Sequence, residues 1–227
     1  MDSLHETDSS RIVSLFSEAP LSTRWFIWLR WKLTPYRRIA SVLPDRGRVL
    51  DLGSGHGLLS LALSQGSDQR EIVGVDHDAG RVLLAEKAMA NRESALRPTF
   101  EVGDLEKALA TFQDGSLAGI AMIDILHYFD DAAQNTILNE AARVLKPEGI
   151  LAVREVDSDG GIAAVWNRVY EHVATRVGFT QSARRQLHFR SASGWTRMLE
   201  RAGFAVRSEP CGSPIFSDVL FVGERAP

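Results

Sequence analysis

The sequence predicts an α/β protein with a doubly wound, mostly parallel β-sheet, and three observations support this fold class. Short apolar runs alternate with segments of helical periodicity, which is the pattern of parallel strands joined by right-handed crossovers. The first of these runs leads directly into a glycine-rich turn, as the first strand of a ligand-binding sheet does. The chain length of 227 residues suits one such domain with additions.

The glycine-rich turn is the most informative stretch of the chain. The first apolar run ends at Asp51 and opens into a glycine loop with Gly53, Gly55 and Gly57 at alternate positions. Glycine permits positive φ and close approach of a ligand, and the following helix offers free N–H groups. Leu58 stands where a dinucleotide fingerprint has its last glycine, and the Asp51 carboxylate would repel a pyrophosphate. The loop therefore favours a ligand with a cationic amino group.

The remaining strands and helices can be assigned from the apolar pattern. The predicted strands after the first are 71–76, 100–105, 119–127, 150–153, 204–206 and 219–222. The predicted helices are 56–65, 78–92, 104–112, 131–145, 162–177 and 193–202. The second strand ends at Asp76, about 20 residues past the glycine loop, where a nucleotide-binding sheet places an acid against ribose hydroxyls.

These motifs together resemble those of the class I S-adenosylmethionine-dependent methyltransferases. The segment 143–149, Arg-Val-Leu-Lys-Pro-Glu-Gly, is similar to one common in their UbiE-like, type 11 small-molecule group. The resemblance covers roughly residues 48–156. It implies a Rossmann-like seven-stranded sheet of order 3-2-1-4-5-7-6 that ends in an antiparallel hairpin. It also implies S-adenosylmethionine as cofactor, S-adenosylhomocysteine as product, and no metal.

The resemblance assigns the cofactor-binding residues by their positions in the motifs. Asp51 belongs to the loop that holds the methionine end, Asp76 to the ribose, and Asp104 to the adenine amino group with an apolar neighbour against the ring. Asp124, after the fourth strand, is expected either to cap the next helix or to line the site. The predicted cofactor set is Asp51, Gly53, Ser54, Gly55, Gly57, Asp76, His77, Asp104, Leu105, Ile123 and Asp124.

An N-terminal helical arm, residues 1–47, lies outside the predicted cofactor core. Its segment 24–32 holds three of the five tryptophans of the chain. At 100° per residue Arg24, Arg30 and Lys32 point in three directions, so the segment lacks the clean polar face of a membrane-surface helix. The pattern therefore favours a lid over the sheet edge, with plain core packing as the alternative and contact with a membrane surface as a third, less favoured interpretation.

The rest of the chain, 48–227, is predicted to be the methyltransferase domain, with a helical substrate-side insertion at 157–194. Arg184, Arg185 and His188 in this insertion form either a solvated face or a cationic wall for a carboxylate or phosphate. An acyl substrate bound to a carrier protein would use both this basic surface and the aromatic lid. The predicted substrate-side residues are Trp28, His127, Tyr128, Arg184, Arg185 and His188.

His127 is the candidate catalytic base, because an oxygen acceptor of high pKa would need one. It lies three residues past Asp124, at the edge where ligands bind. The family often carries an L-H-H-like segment here, and Tyr128 takes the second histidine's place, which leaves a structural histidine as the alternative. Positions 124–127 read Asp-Ile-Leu-His rather than the N-P-P-Y-like tetrad of enzymes that methylate nucleobases. A small-molecule acceptor is favoured, most simply oxygen, with nitrogen and carbon left open.

Composition narrows the remaining function classes. A net charge of −3 and 24% charged residues do not indicate that the protein binds nucleic acid. The six histidines lack the spacing of metal ligands. A single cysteine and an N-terminus without signal-peptide character predict a cytoplasmic protein. Two alternatives remain open: a non-catalytic S-adenosylmethionine-binding module and, less favoured, a nucleotide-dependent oxidoreductase. Oligomeric state and acceptor identity are not indicated by the sequence.

Overall fold

Seven β-strands form one sheet at the centre of the structure, a computed structural model that describes residues 9–90, 97–159, 187–212 and 217–226. The strands are β1 (Arg46–Leu52), β2 (Gln69–Asp76), β3 (Thr99–Val102), β4 (Leu117–Ile123), β5 (Leu145–Val156), β6 (Phe204–Pro210) and β7 (Asp218–Arg225). Their order is β3-β2-β1-β4-β5-β7-β6, and β7 runs antiparallel to both β5 and β6. The predicted order and the terminal antiparallel hairpin are confirmed.

Helices connect the strands and cover both faces of the sheet. They are α1 (Leu21–Leu33), α2 (Tyr36–Val42), α3 (Leu58–Gly66), α4 (Ala79–Ala90), α5 (Leu105–Ala108), α6 (Asp131–Val144) and α7 (Ala192–Arg201), after a helical turn at 9–14. Single 3-10 turns lie at Leu109–Thr111 and Leu126–Tyr128. No described helix is long and apolar enough to cross a bilayer. The predicted helix 162–177 lies outside the described residues.

Several predicted boundaries are wrong, and two aspartates explain most of the differences. Strand β3 ends at Val102 because Asp104 starts a helix, its carboxylate accepting the main-chain N–H of Glu106 at 3.0 Å. The predicted helix 104–112 is accordingly a four-residue helix followed by a 3-10 turn. Strand β4 ends at Ile123 because Asp124 adopts a positive φ of 57°. His127 therefore lies in a 3-10 turn rather than on a strand.

Strand β5 begins five residues earlier than predicted, at Leu145 directly after α6. Leu145 pairs with Leu117, and the regular pairing with β4 resumes only at Ile150, so 146–149 is an irregular stretch within the strand. Glu148, at φ 62°, lies in this stretch. Pro147, two residues after the end of the predicted helix 131–145, thus lies inside a β-irregularity, where its missing N–H is tolerated.

The core has two layers, one on each face of the sheet. Adjacent residues of β1 serve different layers, since Val49 packs on one face and Leu50 on the other. The first layer includes α1, α2, α3 and α4, and it takes in Ile12 and Ile27 of the N-terminal arm. The second layer includes α6 and α7, with Trp195 wholly buried. One side of the arm therefore packs into the core, in agreement with the core-packing alternative.

Candidate functional site

The candidate site lies where the carboxyl ends of β2, β1 and β4 meet. Strand β1 pairs in parallel with β2 on one side and with β4 on the other. The chain therefore builds the sheet from β1 through β2 to β3 in one direction, and then returns to add β4 on the other side of β1. In open α/β sheets this switch point is where ligands bind. The glycine loop is fixed to it by two main-chain hydrogen bonds, from Gly53 N (2.8 Å) and Ser54 N (3.0 Å) to the carbonyl of Val75.

The three glycines of the loop are needed for different reasons. All have positive φ: 78° at Gly53, 53° at Gly55 and 73° at Gly57. A Cβ on Gly53 would lie 2.5 Å from Ile125, and one on Gly57 would lie 2.8 Å from the Phe100 ring. A Cβ on Gly55 would meet nothing within 4 Å. The outer two glycines serve packing, whereas Gly55 borders open space that a side chain would begin to fill.

Asp51 joins the end of β1 to the helix behind the loop. Its carboxylate is buried and accepts the hydroxyl (2.7 Å) and the main-chain N–H (3.1 Å) of Ser60 on α3. Burial raises the pKa of Asp51 to about 6, although the Ser60 hydrogen bonds oppose this change. A cationic group beside the loop would favour the ionised carboxylate.

Asp76 connects the end of β2 to the same loop. One carboxylate oxygen accepts the N–H of Gly55 at 2.8 Å, and the other accepts the N–H of Asp78 at 2.9 Å. His77 is half-exposed beside it, with Nδ1 3.5 Å from the carboxylate. Asp76 is itself buried, so it holds the loop in the conformation that leaves the space at Gly55 open.

The hydroxyl of Ser54 is a buried polar atom inside the loop. Among the described residues its Oγ meets no hydrogen-bond partner. Buried hydroxyls are nearly always paired in native proteins, so an orphan of this kind at a ligand-binding edge calls for a polar ligand atom. Together with the space beside Gly55, it fits a cofactor with polar groups at this loop.

The end of β3 completes this edge. Gly103 N donates to the carbonyl of Asp76 at 3.0 Å, which draws the two strand ends together. Asp104 caps α5 and its side chain is half-exposed, while Leu105 beside it is buried. The acid and the apolar side chain predicted for the adenine end therefore lie one strand away from the ribose-site candidate, Asp76.

Asp124 does not cap the next helix, so that alternative is wrong. The cap of α6 is Asp130, whose carboxylate accepts the N–H of Ala133. Asp124 instead forms ion pairs with Arg30 of α1 (2.9 Å) and Arg154 of β5 (2.5 Å). Burial disfavours the charged carboxylate, but the two guanidinium groups outweigh it and lower the pKa of Asp124. Ile123, the preceding residue, is buried at the end of β4.

We call Arg30, Asp124, Arg154 and Asp218 the ionic cluster. Arg154 pairs with Asp218 as well as with Asp124, and its Nε donates to the carbonyl of Cys211 at 2.9 Å. Burial raises the pKa of Asp218 to about 7, although Arg154 acts in the opposite direction. Sequence analysis missed Arg154 and Asp218, which lie directly beside the predicted apolar runs 150–153 and 219–222.

His127 and Glu155 form a buried pair next to the ionic cluster. Nδ1 of the imidazole lies 2.7 Å from the carboxylate, and both side chains are at most 1% exposed. The other carboxylate oxygen accepts the N–H of Leu126 at 2.7 Å. The imidazole stacks on Phe189 with ring centroids 5.0 Å apart. Glu155 thus orients the ring, and exchange of a proton with an acceptor would fall to Nε2.

The other predicted substrate-side residues are not all brought together. The Tyr128 ring lies 4.2 Å from that of His127, and the main-chain N–H of His188 donates to the His127 carbonyl at 2.8 Å. Trp28 is 40% exposed on α1. Arg184 and Arg185 lie outside the described residues. The described residues contain no group of three metal-ligating side chains.

His56, inside the glycine loop, is a residue that sequence analysis missed. Its ring lies 5.9 Å from that of Phe26 and 6.5 Å from that of Phe16, both in the N-terminal arm. Burial, helped by the nearby positive charge of Arg81, lowers the pKa of His56 to about 4, which keeps it neutral near pH 7. Its position between Gly55 and Gly57 of the glycine loop was the sequence feature that could have identified it. The ring contacts of His56 and the ion pair of Arg30 with Asp124 bring the arm to the site.

This fold and site define the Rossmann-like proteins that bind a ligand at a glycine loop. Residues 49–149 match the family model described as a methyltransferase domain. The chain is 26% identical over 218 residues to the demethylmenaquinone methyltransferase of Thermotoga maritima, covering 86% of this chain and 84% of that protein. It is 32% identical over 168 residues to the arsenite methyltransferase of Aquipseudomonas alcaligenes, covering 63% and 46%.

A third relative is the ubiquinone/menaquinone biosynthesis C-methyltransferase UbiE of Syntrophotalea carbinolica, 26% identical over 151 residues, which cover 66% of this chain and 60% of UbiE. The chain thus spans about half to three fifths of the length of two of these relatives. Among solved structures, the pyocyanin biosynthetic protein PhzM matches with a TM-score of 0.67 at 20% identity, covering 94% of this chain and 61% of PhzM. The [4+2]-cyclase SpnF matches with a TM-score of 0.66 at 18% identity, covering 84% and 80%.

Residues 49–149 thus match a methyltransferase domain, and the named relatives make the chain similar to the class I S-adenosylmethionine-dependent methyltransferases, the UbiE-like group among them. This confirms the family that the motifs predicted. S-adenosylmethionine is the cofactor expected of the family, and the open space at Gly55 and the orphaned hydroxyl of Ser54 fit it.

Proposed function

We propose that this protein transfers the methyl group of S-adenosylmethionine to a small-molecule acceptor. The observation that carries the proposal is the open space at Gly55, which lies at the switch point of the sheet and is held open by Asp76. When bound, the cofactor supplies an electrophilic methyl group on a sulfonium. The work of the protein is then to bind both partners, align them and exclude water.

The cofactor would extend along three neighbouring strand ends. We assign its methionine end to the glycine loop with Asp51 and Ser54, its ribose to Asp76 with His77, and its adenine to Asp104 and Leu105. Support comes from the hydrogen bonds that join these ends, from the loop to β2 and from β3 to β2. The raised pKa of Asp51 also supports it, since a cationic amino group would stabilise the charge that burial disfavours.

Oxygen is the acceptor atom we propose, with His127 as the base. The hydrogen bond from Nδ1 to Glu155 fixes the tautomer and ring orientation that a base requires. Two relatives carry other acceptors in their names, carbon for UbiE and arsenite for the arsenite methyltransferase. Arsenite would favour several thiolates, and Cys211, the single cysteine of the chain, is buried.

The base assignment is tested by His127→Ala and Glu155→Gln. We expect His127→Ala to lower kcat at least about tenfold without changing the affinity for S-adenosylmethionine, because the base acts only on the acceptor. Glu155→Gln should lower kcat less and shift the pH profile, because it weakens the orientation and charge support of the imidazole. Unchanged kcat in both variants, with unfolding temperatures equal to that of the wild type, would contradict the assignment.

A non-catalytic cofactor-binding module is the second candidate, and the burial of His127 favours it. A histidine at most 1% exposed and fixed on both sides has the environment of a structural residue. Formation of S-adenosylhomocysteine during incubation with a set of phenolic, carboxylic and acyl-thioester acceptors separates the two candidates. Turnover that is lost in Gly55→Ala supports the enzyme, whereas cofactor binding without turnover on any acceptor supports the module.

A further inference from the structure

Helix α1 has one side that packs against the rest of the protein and one side that is exposed to solvent. On the inner side Ile27 is wholly buried, Arg30 pairs with Asp124, and Trp31 stacks on Tyr36 with ring centroids 5.5 Å apart. This side attaches the helix to the edge of the sheet.

The opposite side of α1 carries large apolar side chains that remain exposed. Leu21 is 78% exposed, Trp25 59% and Trp28 40%, and Lys32 is exposed after them. Their spacing of four, three and four residues puts all of them on one stripe of the helix, which we call the outer face of α1. Contiguous exposed apolar side chains of this kind mark interaction surfaces, unlike apolar residues scattered singly.

The charge around this face is strongly asymmetric. Residues 21–42, which comprise α1 and α2, contain five basic residues and no acidic residue, in a chain whose net charge is −3. Lys32 at the end of α1 and Arg37 and Arg38 of α2 are exposed, and Arg38 is paired with Glu209. Arg30 pairs inward with Asp124, so this basic residue does not interrupt the apolar stripe.

We propose that the outer face of α1 docks on the surface of a membrane that contains anionic lipid. Tryptophan is suited to the boundary between hydrocarbon and headgroups, and the neighbouring basic residues complement anionic headgroups. The same helix then has two roles: its inner side closes on the sheet edge and its outer side contacts lipid.

This docking would bring the candidate site close to the lipid. The two sides of α1 are about 10 Å apart, one helix diameter. The ion pair between Arg30 and Asp124 lies on the inner side, at the edge where the cofactor is expected. The docking itself does not depend on the proposed function.

Co-sedimentation of the full chain with phospholipid vesicles tests the docking. We expect binding to vesicles that contain phosphatidylglycerol, weaker binding to vesicles of phosphatidylcholine alone, and loss with rising salt. The variant Trp25→Glu/Trp28→Glu should bind at least about tenfold more weakly to both. Lys32→Glu/Arg37→Glu should weaken binding to the anionic vesicles alone. The matched control is Leu83→Glu, which places the same charge on another exposed apolar position, 51% exposed on α4.

Three results would overturn the proposal. Wild-type protein that stays in the supernatant with anionic vesicles would do so, as would equal binding by the tryptophan variant and the Leu83 control. A concentration-dependent dimer that disappears in the tryptophan variant, without vesicle binding, would assign the outer face to a second copy of the chain. Calorimetric titration with S-adenosylmethionine, without vesicles, is run separately, so failure of the cofactor proposal is distinguishable from failure of docking.

Discussion

The glycine loop and the ionic cluster lie at the same edge of the sheet but are stabilised by opposite means. The loop is held by main-chain hydrogen bonds and by two carboxylates whose partners lie within 21 residues along the chain. The ionic cluster joins side chains 30 to 94 residues apart; Arg154 and Asp218 are buried, and Arg30 and Asp124 are partly buried. The loop therefore depends on backbone conformation, whereas the cluster depends on charge balance across the fold.

The two halves of the site are therefore sensitive to different kinds of substitution. A strained or crowded backbone would close the proposed cofactor space, whereas an unbalanced charge would weaken the contacts of α1 and of the start of β7 with the ends of β4 and β5. A buried ion pair contributes little net stability when intact, because desolvation offsets the attraction, but removal of one partner leaves a buried charge unpaired. Substitutions in the ionic cluster should therefore change stability more than substitutions in the loop.

Arg154→Met should have the largest effect on stability. It leaves the Asp124 and Asp218 carboxylates buried without their shared partner, and we expect a loss of about 3–5 kcal/mol in the free energy of unfolding. Urea denaturation at neutral pH measures it. The control is Lys87→Met, which removes an exposed ion pair with Glu18 and should leave the free energy of unfolding almost unchanged. Similar losses in the two variants would mean that the cluster is not energetically distinct.

Asp51→Asn should change how stability depends on pH. The pKa of Asp51 is about 6 in the folded protein against 3.8 for an exposed group, so its ionisation favours the unfolded chain. Its contribution to stability is complete below about pH 4 and is lost as the pH rises through about 6. The variant, whose amide oxygen can still accept from Ser60, should therefore gain about 3 kcal/mol relative to wild type between these limits.

Urea unfolding of wild type and Asp51→Asn at a series of pH values gives this comparison directly. Since both proteins contain every other titrating group, the difference between their unfolding free energies isolates Asp51. A difference that stays constant across the range would show that Asp51 is not perturbed by burial.

Gly53→Ala and Gly55→Ala form a matched pair within the loop. Gly53→Ala introduces both positive-φ strain and a clash with Ile125, and should cost about 2 kcal/mol or more of stability. Gly55→Ala introduces only the strain, about 1 kcal/mol. Its methyl group nevertheless enters the open space, so it should lower cofactor affinity far more than its effect on the unfolding temperature suggests. Thermal unfolding and calorimetric titration of both variants provide the two readouts.

The sequence predicted the sheet and the glycine loop well because their determinants are local. Apolar runs, helical periodicity and three alternating glycines identify strands, helices and the loop without knowledge of long-range contacts, while the strand order came from the family resemblance. The boundaries of β3 and β4 were wrong because single aspartates, Asp104 and Asp124, end those strands through a cap and a positive φ.

The other half of the site could not be predicted in the same way. Arg154 and Asp218 lie 64 residues apart, and only the antiparallel insertion of β7 beside β5 brings them together. Likewise, the sequence placed Arg30, Trp25 and Trp28 in one basic aromatic segment, but it did not show that the arginine points inward while the two tryptophans stay exposed. Which of several similar residues faces the core depends on helix rotation, and tertiary packing decides it.

Calorimetric titration of wild type and Gly55→Ala with S-adenosylmethionine, with NAD as the control ligand, determines whether the space bordered by Gly55 is the cofactor site. We expect wild type to bind S-adenosylmethionine and S-adenosylhomocysteine but not NAD. Gly55→Ala should bind S-adenosylmethionine at least about tenfold more weakly, a loss of about 1.4 kcal/mol, although its unfolding temperature stays within a few degrees of that of wild type. Equal affinity of the two proteins, or binding of NAD in preference, would contradict the account.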